Sequence, residues 1–172
     1  MSEEKRTFSR VSVRLKGHAR IMHSLESSPI FTEEAVDEPS LSETLFRHSK
    51  LPEDLTRFLS EMDRKVDRIL ALLSQDRIQA DFPTQVEILE ISAAGIKFRT
   101  PDKFPVNTPM EIVIQLGYAP LRLAGSKGRI VGIEEDTSLY RFEFVDTRAA
   151  DMEAIVRFVF QEQREQIRNA KM

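Results

Sequence analysis

The sequence predicts a mainly β fold, a small barrel or sandwich with added helices. Five short segments between residues 84 and 146 alternate apolar and polar residues and are separated by turn sequences, which is typical of antiparallel strands. A sixth segment, 10–23, alternates in the same way. Two further segments, 52–75 and 147–172, repeat their apolar residues at helical spacing instead.

The composition suits one soluble domain with additions. The chain has 172 residues, of which 41% are hydrophobic, so a core of normal size is possible. The absence of cysteine excludes a disulfide framework, a thiolate metal site and a cysteine nucleophile, and it fits a reducing cytoplasm. The N-terminal segment lacks the apolar stretch of a signal peptide, and no apolar run reaches membrane-spanning length. We therefore expect a cytoplasmic protein without membrane insertion.

The N-terminal part of the chain is basic, and the part that follows it is acidic. Residues 1–23 carry six basic and two acidic side chains, whereas residues 24–43 carry six acidic and no basic ones. The segment 24–40 is also rich in serine, proline and glutamate without periodicity, which indicates a loop. A solvated surface is one interpretation of the charge contrast, and a basic arm that holds an anion is the other.

The first strand is predicted at 10–23, where Val11, Val13 and Leu15 face one side. After the acidic loop, the segment 40–48 is compatible with a short helix. These elements precede the most regular pattern in the chain.

The segment 52–75 predicts a long helix with a heptad pattern. Pro52 suits the first helical position, and two acidic residues follow it at the positive end of the helix dipole. The spacing of the apolar residues keeps to about 3.5, which favours self-association into a homodimer or homotetramer. An amphipathic helix packed on its own domain is the alternative. The predicted oligomerisation residues are Leu55, Leu59, Met62, Val66, Ile69 and Leu73.

The remaining strands are predicted at 84–90, 95–100, 109–116, 121–134 and 139–146. Three glycines inside the fourth of these segments, Gly125, Gly128 and Gly132, indicate a bend or bulge. The final helix has an apolar face that we expect to cover the barrel, formed by Met152, Ile155, Val156 and Val159.

The sequence contains no pattern typical of an enzyme. Its histidines, His18, His23 and His48, lack metal-ligand spacing, and there is neither a phosphate-binding loop nor a nucleophile elbow. We expect a binding protein with no catalytic residues, no metal and no cofactor. The net charge of −3 and the lack of aromatic residues among the basic ones also disfavour binding of polymeric nucleic acid.

Two short motifs have the chemistry of a ligand site. Arg6 and Arg10 lie four residues apart at the entry to the first strand, and arginine pairs with phosphate and with the edge of guanine. Glu90, Ser92 and Gly95 lie at a turn between two strands. Serine offers a small donor and acceptor, and glycine permits positive φ and close backbone approach.

In this order and setting, the two motifs resemble those of the PilZ domain, a bacterial receptor for cyclic di-GMP. The strands that contain Gly-Arg-Ile-Val at 128–131 and Tyr-Arg-Phe-Glu-Phe at 140–144 extend the resemblance, which covers residues 5–23 and 82–160. It implies a six-stranded antiparallel β-barrel. It also divides the chain into an arm with the first strand (1–23), an insertion with the heptad helix (24–81), and the rest of the barrel with the C-terminal helix (82–172).

The resemblance also implies roles for the motif residues. The acid and the serine of the turn contact guanine, the glycine lets the turn close on the ligand, and Arg6 and Arg10 grip guanine and phosphate. Lys5, next to the arm, then influences whether one ligand or a stacked pair binds; a solvated lysine is the alternative. Glu90 departs from the family, which has Asp or Asn there, so its carboxylate extends one methylene further.

The expected function is that of a cyclic di-GMP receptor that changes conformation on binding and signals to a protein partner. By analogy with the family, the output concerns motility, pili, exopolysaccharide or biofilm. The alternative is a degenerate, oligomeric adaptor that does not bind nucleotide. Atypical members of the family with an added heptad helix assemble through it.

Overall fold

A computed structural model describes residues 8–31, 50–118 and 121–171. Lys5, Arg6 and the segment 40–48 lie outside the described residues. The structure contains six strands and two helices in these ranges: β1 Arg10–Ile21, α1 Glu53–Asp81, β2 Thr84–Ser92, β3 Gly95–Arg99, β4 Pro109–Tyr118, β5 Leu121–Ile133, β6 Tyr140–Asp146 and α2 Ala149–Ala170. No helix within these ranges is long and apolar enough to cross a membrane.

The six strands form a closed antiparallel barrel in the order β1-β2-β3-β6-β5-β4. This order confirms the predicted barrel and excludes the sandwich, because β1 pairs with both β2 and β4 and so closes the sheet. Each strand begins and ends within two residues of its predicted bounds. The alternation of apolar and polar residues is therefore a reliable guide to strand position in this chain.

Apolar side chains on the inner faces of the strands fill the barrel. Ile88, Phe98 and Ile112 are completely buried, and Phe98 stacks on Tyr140 with ring centroids 5.4 Å apart. Val11 is buried as predicted, and Val13 and Leu15 pack against the same core. Burial of one such side chain contributes about 1.5–3 kcal/mol, so this core supplies much of the stability of the fold.

Two of the three predicted glycines of β5 coincide with irregular pairing, whereas Gly125 pairs regularly with Val113. The register between β5 and β6 shifts beside Gly128 and again beside Gly132. A Cβ atom on Gly128 would lie 2.1 Å from the carbonyl oxygen of Glu143, so only glycine permits this close approach of the two strands.

The C-terminal helix α2 covers the barrel. Ile155 and Val159 are buried in the same core as the strand residues. Met152 and Val156 are only partly buried, because they lie on an outer groove of the helix beside Glu153 and Arg157. The predicted apolar face is thus divided between the core and the surface.

The inserted helix α1 continues to Asp81, beyond the predicted end at residue 75. Its last turns contact the outer face of the barrel, where Ile78 packs with Phe31, Phe82 and Val113 in a second apolar cluster. Within the described part of the chain, Ile78 is the only buried residue of the helix. The six predicted oligomerisation residues are 37–61% exposed, so the described part of the barrel does not cover them.

A group of buried charges fixes the chain segment before α1 to the barrel. The carboxylate of Glu111 accepts hydrogen bonds from the backbone N–H groups of Ile30 and Phe31, both at 3.0 Å, and from Arg20 Nε at 2.7 Å. Lys127 Nζ donates to the backbone carbonyl of Leu25 at 2.9 Å. Because these buried groups have partners, they position the segment that leads toward α1.

Candidate functional site

The register of the barrel brings the first strand and the predicted turn together. Arg10 lies directly opposite Ser92, and Ser12 lies opposite Glu90. The turn itself is Ala93–Ala94, and β3 begins at Gly95. Four of the predicted ligand-binding residues therefore share one region of the outer barrel surface, whereas Lys5 and Arg6 lie outside the described residues.

Ser92 organises the turn. Its hydroxyl accepts a hydrogen bond from the backbone N–H of Ala94 at 3.2 Å and donates a long one to the carbonyl of Gly95 at 3.4 Å. The residue is buried. A hydroxyl has one proton and two lone pairs, so these two bonds leave one lone pair for a further partner.

Gly95 does not adopt the positive φ that glycine permits. Glycine is needed here for a different reason. A Cβ atom at this position would lie 2.1 Å from the carbonyl oxygen of Phe142 in β6. The adjacent backbone N–H of Phe144 donates to the carbonyl of Ala94 at 2.9 Å. The close approach that the glycine permits is therefore to β6, whose backbone holds the turn in place.

A chain of alternating charges crosses the surface beside this turn. Arg10 Nη1 lies 3.6 Å from Glu90 Oε1, and Glu90 Oε2 lies 3.7 Å from Lys97 Nζ. Lys97 Nζ in turn lies 2.7 Å from Glu134 Oε1. The hydrogen bond from Lys97 lowers the pKa of the Glu134 carboxyl, with a smaller contribution from the Thr137 hydroxyl. Glu90 and Glu134 thus share one cation, the ammonium group of Lys97.

Lys97 and Arg141 extend the surface beyond the residues that the sequence singled out. Glu90 pairs across to Lys97, and Lys97 pairs across to Arg141, so the three lie in one row over β2, β3 and β6. Gly132 leaves space for the Arg141 side chain, because a Cβ atom there would lie 2.7 Å from Nη2. Lys97 alternates with buried Ile96 and Phe98, and this alternation was the signal that it faces outward, directly after the turn.

The buried charges around Glu111 form a separate feature. Together with Lys127, Arg148 and Asp151, Glu111 lines a cavity of about 30 Å³. This cavity has room for about one water molecule. Of the predicted ligand-binding residues that the structure describes, none lines this cavity. Its charges are engaged in holding the segment before α1 and the start of α2.

The predicted oligomerisation residues form an exposed apolar row along α1. Phe58, Leu70 and Leu72, which flank the row, are more than half exposed as well. An exposed apolar surface of this extent on a helix is typical of a helix–helix interface.

Comparison with known proteins identifies the family. The family model of the PilZ domain matches residues 63–161, which is more than half of the chain. The chain belongs to the PilZ domain family. PilZ domains are receptor domains for cyclic di-GMP, and the matched range includes Glu90, Ser92 and Gly95 but not Arg10. No curated protein matches the sequence.

Two solved structures are similar to this PilZ chain. One is a pathogenic protein from Xanthomonas campestris, a tetrameric PilZ domain self-assembled through a helical bundle; the TM-score is 0.56 at 20% identity over 94% of this chain and 92% of that one. The other is the inhibitor of motility MotI/DgrA from Bacillus subtilis, with a TM-score of 0.49 at 11% identity over 94% of this chain and 52% of that one. At such identities, the likeness concerns the fold alone.

Proposed function

We propose that this PilZ protein is a receptor that binds cyclic di-GMP on the outer barrel surface formed by β1 and the β2–β3 turn. The observation that carries the proposal is the register that places Arg10 opposite Ser92, next to Glu90 and Gly95. An arm with two arginines and a turn with an acid, a serine and a glycine are the two halves of the family's ligand site. The family membership makes cyclic di-GMP the ligand to test.

The residues on this surface have complementary roles toward such a ligand. The Arg10 side chain is 46% exposed, and its guanidinium offers a planar fork of donors to a phosphate or to the O6/N7 edge of guanine. Arg6 supplies a second fork from the arm, and Lys5 adds positive charge for the further phosphates of a stacked pair. On the opposite side, Ser92 keeps one lone pair for a guanine N–H, and the turn backbone is held firmly by β6.

Binding then changes what the protein presents to a partner. The arm before β1 closes on the ligand, because Arg6 gains contacts that exist only in the closed state. A protein partner that recognises the closed arm receives the signal. The family's association with motility, pili, exopolysaccharide and biofilm gives the class of output, which rests on analogy.

The same proposal includes self-association through α1 as a homodimer or homotetramer. The support is the exposed row from Leu55 to Leu73, which the described part of the chain does not cover. The flanking Phe58 and Leu72 widen this surface beyond a two-helix seam, which favours a bundle of more than two helices. The Xanthomonas campestris protein, which assembles as a tetramer through a helical bundle, has the same fold.

Ligand-induced stabilisation tests the receptor function. Cyclic di-GMP at about 100 times its Kd stabilises the folded state by about 2.7 kcal/mol, which raises Tm by about 5–10 °C. Arg10→Ala abolishes this shift. Arg14→Ala is the matched control, because Arg14 lies on the same strand but pairs with Glu87, away from the turn, and it retains the shift.

The second candidate function is an oligomeric adaptor that does not bind nucleotide. The observation that favours it is the ion pair between Arg10 and Glu90, which engages the arginine that the ligand requires. A wild-type protein with no thermal shift at millimolar cyclic di-GMP supports the adaptor, and α1 is then the functional element.

A further inference from the structure

We propose that Glu90 is an internal competitor of the ligand: its carboxylate occupies Arg10 and thereby lowers the affinity of the surface for an anion. This inference rests on the proposed function and adds a regulation of the same site. It assigns Glu90 a role opposite to that of the acid in the family motif, where the acid contacts guanine.

The contacts of the Glu90 carboxylate carry the proposal. One oxygen lies 3.6 Å from Arg10 Nη1, and the other lies 3.7 Å from Lys97 Nζ. Each oxygen is directed to its own cation, and the side chain is only 27% exposed. Glutamate is one methylene longer than aspartate, and its carboxylate extends from β2 toward Arg10 on β1.

Lys97 makes the competition reversible. When a phosphate takes Arg10, Glu90 still has Lys97, which Glu134 holds in place at 2.7 Å. The carboxylate therefore exchanges two cations for one and does not become unpaired. Ion pairs near the surface are weak, and Glu90 makes a single contact with Arg10 at 3.6 Å, so a phosphodiester that accepts two parallel hydrogen bonds from the guanidinium displaces it. The competitor lowers the affinity and does not abolish it.

The two roles of Glu90 make opposite predictions for a neutral, apolar side chain of similar length. Glu90→Met removes both the competitor and any hydrogen bond to guanine. If Glu90 competes, the variant binds cyclic di-GMP more tightly, by about threefold to fivefold. If Glu90 contacts guanine, the variant binds more weakly.

Glu143→Met is the matched control for net charge. Glu143 lies directly across from Gly95 on the same outer surface, and its carboxylate pairs with Arg129 at 3.6 Å, the same distance as in the pair of Glu90 with Arg10. The control removes one negative charge beside the turn without releasing Arg10. We expect its affinity to change less than about twofold.

The experiment is a calorimetric titration of the full chain and of both variants with cyclic di-GMP, after thermal unfolding has shown that the variants are folded. Tighter binding by Glu90→Met alone supports the competitor, also where the wild type binds too weakly to measure. Equal or weaker binding by Glu90→Met overturns it while the receptor function stands. Equal gains in affinity in both variants would mean that the effect is one of net charge alone, and this result overturns the competitor as well. Absence of binding in all three proteins overturns the receptor function, and the competitor with it.

Discussion

Gly95→Ala should destabilise the protein strongly, because the neighbouring strand leaves no space for a side chain. The added Cβ atom would lie 2.1 Å from the carbonyl oxygen of Phe142, 3.1 Å from its carbonyl carbon and 3.3 Å from the Cα atom of Glu143. All three contacts are with backbone, so no rotamer change relieves them. The β6 backbone must move away by about 1 Å, which disturbs the β3–β6 pairing and the barrel closure.

The magnitude follows from the kind of clash. Overpacking of a well-packed core typically costs about 1–3 kcal/mol, and a backbone clash lies at or above the upper end of that range. We expect a loss of at least about 3 kcal/mol in the free energy of unfolding, which lowers Tm by about 6–12 °C for a chain of this size.

Gly132→Ala is the matched control for this prediction. A Cβ atom there would lie 2.7 Å from Nη2 of Arg141, the far end of a flexible side chain that can turn aside. Both substitutions remove the same backbone freedom of the unfolded chain. Urea unfolding of the two variants measures the difference, and a Gly95→Ala variant within about 1 kcal/mol of Gly132→Ala would refute the reasoning.

Three further predictions concern other parts of the molecule. Val66→Asp, in the middle of the exposed apolar row of α1, should weaken self-association and give a smaller species in sedimentation velocity. Arg64→Asp, on the opposite side of the helix, should not. Equal behaviour of the two variants would contradict assembly through the row. Glu111→Ala leaves two backbone N–H groups and the Arg20 guanidinium without their acceptor, so we expect the free energy of unfolding in urea to fall by about 3–5 kcal/mol. A loss below about 1 kcal/mol would show that this carboxylate does not hold the segment before α1. Burial, with a smaller effect of Lys16, lowers the pKa of His18 from 6.5, so the unfolded state binds the proton more readily than the folded state. The free energy of unfolding is therefore highest above pH 6.5 and falls as the pH drops below it. His18→Gln should flatten this decrease in unfolding measured from about pH 7 to pH 5.

The strand positions were predictable because the alternation of apolar and polar residues can be read directly from the sequence. Each strand of the barrel has one face in the core, so an apolar residue at every second position is enough to locate it. The bends beside Gly128 and Gly132 were predictable for a similar reason, since glycine within a strand marks a close approach of backbone.

The end of α1 was not predictable from the heptad pattern. The pattern stops at Leu73, yet the helix continues to Asp81 because Ile78 is buried against Phe31 and Phe82. Glu111 is a similar case. It occupies a position that alternation assigns to the outer surface, and the segment around Phe31 then covers it. Contacts between segments far apart in sequence decide both features.

The sequence singled out the motif residues, but it did not predict their interactions with one another. The sequence identified Arg10, Glu90, Ser92 and Gly95, which the barrel places together. It did not reveal the ion pairs, because they depend on the cross-strand register that sets Glu90 between Arg10 and Lys97. The need for glycine at position 95 likewise comes from β6, where Phe142 and Glu143 lie far along the chain from Gly95.

The most direct test of the receptor function is the stoichiometry and affinity of cyclic di-GMP binding to the full chain by calorimetric titration, with Arg10→Ala measured in parallel. We expect saturable binding to the wild type, with one ligand or a stacked pair per chain, and a loss of binding in Arg10→Ala. Binding that is unchanged in Arg10→Ala would contradict the location of the site, and the absence of binding by the wild type and by Glu90→Met would contradict the receptor function.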